Sequence, residues 1–268
     1  MGFDQKGEVK IKLPIFKHGE FLWKYLDLHK LLNFVIKNEL VFTRLDLLED
    51  PIEGLSTSHL RAANLEDLIN ESENKEKVSQ IKEKFPNLLK GKEFRPVFGK
   101  HKQQLQFANC WFHGERESMA MWNLYSNKDS VAIKVVAEDF ISYLTKAAAK
   151  FVEQNGYKVH FIADSVKYLH LNPFDPDLSK QNFRYSAFKK DSSYKHEQEY
   201  RLLLYVHSKW QEDHKFKFIK FPLGDNDLQI EIVCHPLMQE WKRTNLENLV
   251  SKFNNDIHVK KSDIFMAV

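Results

Sequence analysis

The chain has 268 residues and a net charge of +3, enough for one large domain but too mild a charge to define the whole molecule's partners. Hydrophobic residues make up 43%, which excludes global disorder. The two cysteines, Cys110 and Cys234, lie too far apart for a paired metal motif and argue against a disulfide framework, so a reducing cytoplasm is the expected location.

In chain order, Val9 to Leu13 reads as a strand ended by Pro14, and Phe21 to Tyr25 as a second apolar, aromatic run. Apolar residues at 28, 31, 32, 35 and 36 predict a helix over 28–38, followed by a short strand over Leu40 to Phe42. Asp46 to Gly54 is a loop, with Asp50-Pro51 a turn or helix start. A charged helical stretch over 58–90 and a basic connector over 90–104 read as an insertion. Leu105 to Phe112 is a strand, Met119 to Tyr125 a short helix, and Val131 to Val136 a buried strand. A helix over 140–154 stops near Gly156, and 159–168 is one long strand or a strand pair. Residues 171–182 form a loop with two prolines. Further strands are expected over 216–221 and 228–233, then a helix over 238–253 and a closing strand at Ile257 to Val259. The simplest architecture is a single α+β domain, 1–268, with a helical insertion at about 58–104.

The chemistry concentrates in Lys195-His196-Glu197-Gln198-Glu199-Tyr200-Arg201-Leu202-Leu203-Leu204-Tyr205. On a strand, alternate side chains share a face, so Glu197, Glu199 and Arg201 point one way and Tyr200, Leu202 and Leu204 the other. Adjacent like charges repel, so such a strand needs solvent, a nearby cation or a bound ligand. One reading is a solvated strand face. The other places Glu199 in a cleft, where a carboxylate holds a ribose and stabilises the positive charge that develops as a glycosidic bond breaks. Glu197 would then orient or deprotonate the incoming nucleophile.

Just upstream, Arg184, Tyr185, Lys189, Lys190 and Tyr194 interleave cations with aromatic rings. That pattern suits phosphates and unpaired bases, or else a strand followed by a polar loop. Lys24 and Arg44, at strands flanking the first helix, are either surface residues or contacts for a pyrophosphate. The cluster Cys110-Trp111-Phe112-His113 with Met119 to Tyr125 is either core or the aromatic wall of a pocket. No glycine-rich phosphate loop occurs, and the 12 histidines show no metal spacing, so no metal is expected. No apolar run at either end is long enough for a signal peptide or membrane span.

Four segments resemble a bacterial family known as a domain of unknown function, number twenty-nine seventy-one. They are Trp23-Lys24-Tyr25 with the helix, Leu40 to Thr43 and Asp50-Pro51-Ile52-Glu53; Cys110-Trp111-Phe112 with Met121 to Tyr125; Tyr194 to Arg201; and Ile232 to Pro236 with Ser262. Glu49 and Tyr194 depart from that family, which usually has Asn and Trp there. A strand opening Glu-x-Glu behind a target-contacting loop also resembles, more distantly, the third motif of ADP-ribosyltransferases. That resemblance implies mixed and antiparallel sheets around a cleft and NAD as substrate. It makes Glu199 the catalytic carboxylate and Glu197 its partner. Lys24, Tyr25, Thr43, Arg44, Trp122 and Tyr125 become the NAD-binding set, with Tyr125 or Tyr168 stacking on nicotinamide. Neither the usual His nor the usual Arg stands at 24 or 25. The expected activity is an NAD-dependent ADP-ribosyltransferase, a bacterial toxin or phage-defence effector acting on nucleic acid, RNA above all. An antitoxin-like protein partner is a further expectation, and the alternative is a non-enzymatic module that binds nucleic acid or a partner.

Overall fold

The computed structural model describes residues 7–11, 19–50, 52–55, 79, 83, 101–171, 186–224, 228–254 and 257–265. The expected insertion falls outside them, except for Ser79, Glu83 and residues 101–104, which are helical.

The protein is a mixed α+β structure built on a ten-stranded sheet. Its elements in chain order are β1 (Val9–Ile11), β2 (Phe21–Leu26), α1 (Leu28–Lys37), β3 (Glu39–Arg44), β4 (Gln106–Gly114), α2 (Met119–Tyr125), β5 (Val131–Val136), α3 (Ala137–Gln154) and β6 (Val159–Ser165). Then follow β7 (Lys167–Leu169), β8 (Lys189–Asp191), β9 (Glu199–Val206), α4 (Ser208–His214), β10 (Phe218–Pro222), β11 (Glu231–Cys234), α5 (Glu240–Val250) and β12 (His258–Lys260). The main path through the sheet is β1-β6-β9-β4-β2-β5-β11-β12, with β3 pairing both β4 and β10. The pairs β1–β6 and β11–β12 are parallel and the others antiparallel. The stretch 159–168 resolves into two strands. β6 joins the large sheet, whereas β7 turns away to pair with β8 in a separate parallel ribbon.

Local sequence explains the helix that shapes the cleft. The Asp27 side chain caps α1 by accepting from the Lys30 backbone N–H at 2.8 Å. Asn38 ends it in the left-handed conformation, its N–H donating to the Phe34 carbonyl. α3 starts three residues earlier than the apolar repeat predicts, because Glu138 and Asp139 in its first turn favour the positive end of the helix dipole. α4 has no counterpart in the sequence reading. It is short and polar, and only Gln211 is buried.

The 21 phenylalanines find a use in the core. On one face of the sheet, Phe42 (β3), Phe161 (β6), Phe221 (β10) and Phe151 (α3) pack with ring centroids 5.0 to 6.2 Å apart. On the other face, Trp23, Phe112, Met121, Trp122, Ala132 and Val233 form a smaller cluster beneath α2. β9 is buried along its whole length. It reads as a strand enclosed on both faces, not as one with a wet side.

The feature that positions the site is a fork. One edge of β4 pairs with β9 over Gln106–Phe112. The opposite edge pairs with β3 only at Phe107 and Ala108, and with β2 only from Phe112 to Gly114. β2 and β3, joined by α1, therefore splay apart opposite Asn109–Trp111. Backbone groups freed at a fork need partners. Lys24 Nζ donates to the Cys110 carbonyl at 3.0 Å, and Asn109 Nδ2 donates to the Val41 carbonyl at 2.8 Å. The Trp111 indole N–H in turn donates to Asn109 Oδ1 at 2.8 Å.

Phe161, fully buried at the centre of the phenylalanine layer, is a direct test of that packing. Phe161→Ala should cost about 3–5 kcal/mol. The readout is a lowered urea midpoint at unchanged m-value. A loss below about 1 kcal/mol would contradict the packing described.

Candidate functional site: an acid–cation cluster at the sheet fork

A cavity of about 710 Å³ opens at the fork, within the size range of ligand and cofactor sites. Its walls come from β2, α1, β3, β4, β9, the residues Glu49, Asp50 and Glu53 and the segment around Tyr194. Residues from both faces of the sheet line it, because the divergence of β2 and β3 opens a passage between them.

Glu53, Glu197, Glu199, Lys190 and Arg201 all line this cavity and are all buried. Arg201 is the centre. Its Nε and Nη2 hold the two Glu199 oxygens at 2.6 Å each, Nη1 donates to the Ala187 carbonyl at 2.5 Å, and Nη2 also donates to Glu53. Lys190 Nζ donates to Glu197 at 2.6 Å and lies 3.9 Å from both Glu53 and Glu199. The Tyr125 hydroxyl donates to the other Glu197 oxygen at 2.6 Å. The Tyr194 ring lies 4.6 Å from the Lys190 ammonium, a cation–π contact.

Burial alone would push Glu53, Glu199, Lys190 and Arg201 toward their neutral forms. A unit charge about 4 Å away is worth about 4 kcal/mol at an effective dielectric near 20, so charged neighbours decide the outcome. For Glu199, burial raises the pKa, but the Arg201 guanidinium and then Lys190 outweigh it and hold the carboxyl below its ordinary value. For Glu53, burial wins and the pKa is raised, with Arg201 opposing and Glu199 reinforcing the shift. Burial lowers Lys190, but Glu53 and Glu199 more than compensate, so its ammonium is held above the usual value. Arg201 is pushed well above its ordinary value despite burial.

The structure corrects the sequence reading of the paired glutamates. Glu197 is not on the strand. It closes a 3₁₀ helix over Ser192–Glu197, Gln198 turns the chain with φ 40°, and β9 begins at Glu199. Asp191 caps that helix by accepting from the Ser193 N–H, a signal already present in Asp191-Ser192-Ser193. The two carboxylates thus reach one cavity from different elements. Their repulsion is met by Arg201 and Lys190, two cations supplied by the protein itself.

Other residues named from sequence divide clearly. Lys24, Tyr25, Thr43, Tyr125 and Tyr194 line the cavity. Arg44 does not: its guanidinium grips Asp46 at 2.6 and 3.1 Å and the Phe216 carbonyl at 3.0 Å. Trp122 is fully buried behind the wall, donating to Glu117 at 2.7 Å and meeting the Tyr25 ring edge-on at 4.8 Å. Tyr168 accepts from the Glu199 N–H at 2.8 Å and is not part of the lining. Lys189 and Lys190, read as target-facing cations, are buried at 4% and 7% exposure. Burial lowers Lys189 to about 8. Arg184 and Tyr185 lie outside the described residues. Cys110 and His113 do not form a thiol–imidazole pair. They are three apart on β4, His113 meets Glu20 at 3.1 Å, and burial pushes the Cys110 thiol up.

Glu53 was not singled out as a site residue, and its ion-pair partner Arg201 is 148 positions away. Among the described residues, no group of three or more His, Cys, Asp or Glu side chains is placed to hold a metal ion. None of their helices is long and apolar enough to cross a membrane. Comparison of the chain with family models, curated proteins and solved structures finds no match.

Removing the guanidinium would leave Glu199 buried without its main partner. Arg201→Met should cost about 3–5 kcal/mol at pH 7. In the wild type, the depressed Glu199 pKa contributes stability above the ordinary carboxylate range that is lost as pH falls through the folded value. In the variant, the buried carboxyl titrates above its unfolded value, so stability falls as pH rises. The gap between the two proteins, measured by urea unfolding, should therefore be smaller at pH 4 than at pH 7. An equal gap at both would show that Arg201 acts by packing alone.

Proposed function

We propose that the chain is an NAD-dependent ADP-ribosyltransferase whose active site is the cleft at the fork. The observation that carries this reading is Glu199, a buried carboxylate held in its ionised form in the lining of a cavity large enough for a dinucleotide. Such a group stabilises the oxocarbenium-like charge on the ribose as the bond from C1′ to the nicotinamide nitrogen breaks. The acceptor then attacks C1′, and Glu197 takes its proton. The rings of Tyr25 and Tyr125 supply stacking surface, and Lys24 and Lys30 supply positive charge for the pyrophosphate. This reading makes the large mixed sheet a variant of the ADP-ribosyltransferase architecture. An RNA acceptor now rests on Arg184, Tyr185 and Tyr194, because Lys189 and Lys190 are buried. A cytoplasmic toxin or defence effector, with or without an antitoxin-like partner, is the setting that suits this chemistry.

A second reading is favoured by the way both carboxylates are already held. Arg201 occupies both Glu199 oxygens, and Tyr125 and Lys190 occupy both Glu197 oxygens. On this reading the cluster braces a binding cleft in which no bond is broken.

Single-turnover release of nicotinamide from NAD separates the two. The wild type should release nicotinamide, and Glu199→Gln should be slower by about 10²-fold or more while keeping a cooperative thermal transition. Equal rates would remove Glu199 from catalysis. NAD at about a hundredfold over its Kd should also stabilise the wild type by about 2.7 kcal/mol. A cleft that only binds nucleic acid would instead show salt-sensitive RNA binding unchanged by Glu199→Gln, with no nicotinamide released.

A further inference from the structure

We propose that Lys24 is a nucleophilic amine in the cleft wall, placed to form an imine with an aldehyde-bearing ligand. The inference goes beyond NAD cleavage and does not require it. Three lysines line the cavity: Lys24, Lys30 and Lys190. Lys190 donates to Glu197, and Lys30 pairs with Asp27 at 3.0 Å on the exposed start of α1. Lys24 differs from both. Its hydrogen-bond partner is the neutral carbonyl of Cys110, and its ammonium lies 5.5 Å from the Trp111 ring centre. No carboxylate among the described residues makes an ion pair with it.

The position follows from the fold. Lys24 lies in the middle of β2, just past Trp23, where the pairing of β2 with β4 ends, so its side chain lines the fork. A partly buried lysine without a counter-ion, as Lys24 is, loses some of its preference for the charged form. Burial dominates here and lowers Lys24 to about 8. The Cys110 thiol on β4 and Glu199 on β9 oppose that shift, and Lys30 on α1 adds to it. Roughly a tenth of such amines are neutral at pH 7, against roughly one in 2,500 for an ordinary lysine. Desolvated lysines of this kind are the ones that act as nucleophiles toward carbonyl groups.

The step balances without a co-reactant. The Nζ lone pair attacks the carbonyl carbon, a C–N bond forms, and the carbonyl oxygen departs as water with both amine protons. The product is a C=N double bond, which a hydride donor can trap.

The test treats the folded protein with limiting glyoxylate and cyanoborohydride from pH 6 to pH 9, and compares individual lysines by peptide mass spectrometry. Lys24 should be carboxymethylated at least tenfold faster than exposed Lys30 at pH 7, with a half-maximal rate near pH 8. The Lys24→Arg variant keeps a donor for the Cys110 carbonyl and should lose the fast site alone. If Lys24 reacts no faster than Lys30, or reacts only once urea has unfolded the chain, the proposal is overturned. Because the probe is not NAD, this outcome is independent of nicotinamide release.

Discussion

The Arg201 guanidinium is the constraint around which this protein is organised. It lies on a central strand, is fully buried, and could not stay there without compensation. Removing a charge from water costs several kcal/mol even after relaxation. The geometry that offsets this cost is a fork-to-fork grip on Glu199, a second carboxylate from Glu53 and the Ala187 carbonyl. These partners come from β9 itself, from the turn after β3 and from the short 3₁₀ turn ahead of β8. One side chain thereby ties three separated stretches of chain to the floor of one cavity. A lysine could not replace it, because an ammonium lacks the planar pair of donors that meets both Glu199 oxygens.

The fork and the cluster explain each other. If β2 and β3 ran together along β4, the sheet would be continuous there and no cavity would form beside Glu199. Their divergence opens the space, while Lys24 and Asn109 satisfy carbonyls that would otherwise be stranded. The cleft is thus built from groups that also hold the sheet, so its chemistry and the protein's stability are coupled. This coupling is why a clamped Glu199 serves both as brace and as a carboxyl held below its ordinary pKa. A catalytic role asks it to stabilise positive charge, which an anion kept below its ordinary pKa does across the neutral range.

Much of the fold was legible because it rests on periodicity. The boundaries of α2 and β5 match their apolar patterns, and α1 matches within a residue. The glutamate pair was recognised as needing compensation, and Arg201 was placed on the right face. The register of Glu197 was not legible, because alternation assumes the strand has already begun, and a capped 3₁₀ turn intervened. Arg44 read as a pyrophosphate contact from its place at a strand end, and Trp122 as part of an aromatic pocket wall. Their real partners, Asp46 and Glu117, are local but carry no signal that distinguishes a structural bond from a vacant one. Glu53 reached the site through long-range packing, which no local pattern encodes. Lys189 and Lys190 show the same limit from the other side: a basic run reads as a solvated surface until the sheet ribbon that buries it is known.

The central claim is that Arg201 keeps Glu199 ionised inside the cleft. Carbon-13 NMR of glutamate side-chain carboxyls, with Glu199 assigned by difference from Glu199→Gln, measures this directly. The Glu199 resonance should keep its ionised shift as pH is lowered through the ordinary carboxylate range, and move only below it, while the exposed glutamates titrate normally. A Glu199 carboxyl that takes up its proton at or above the ordinary value would contradict the account, because burial would then have defeated the guanidinium.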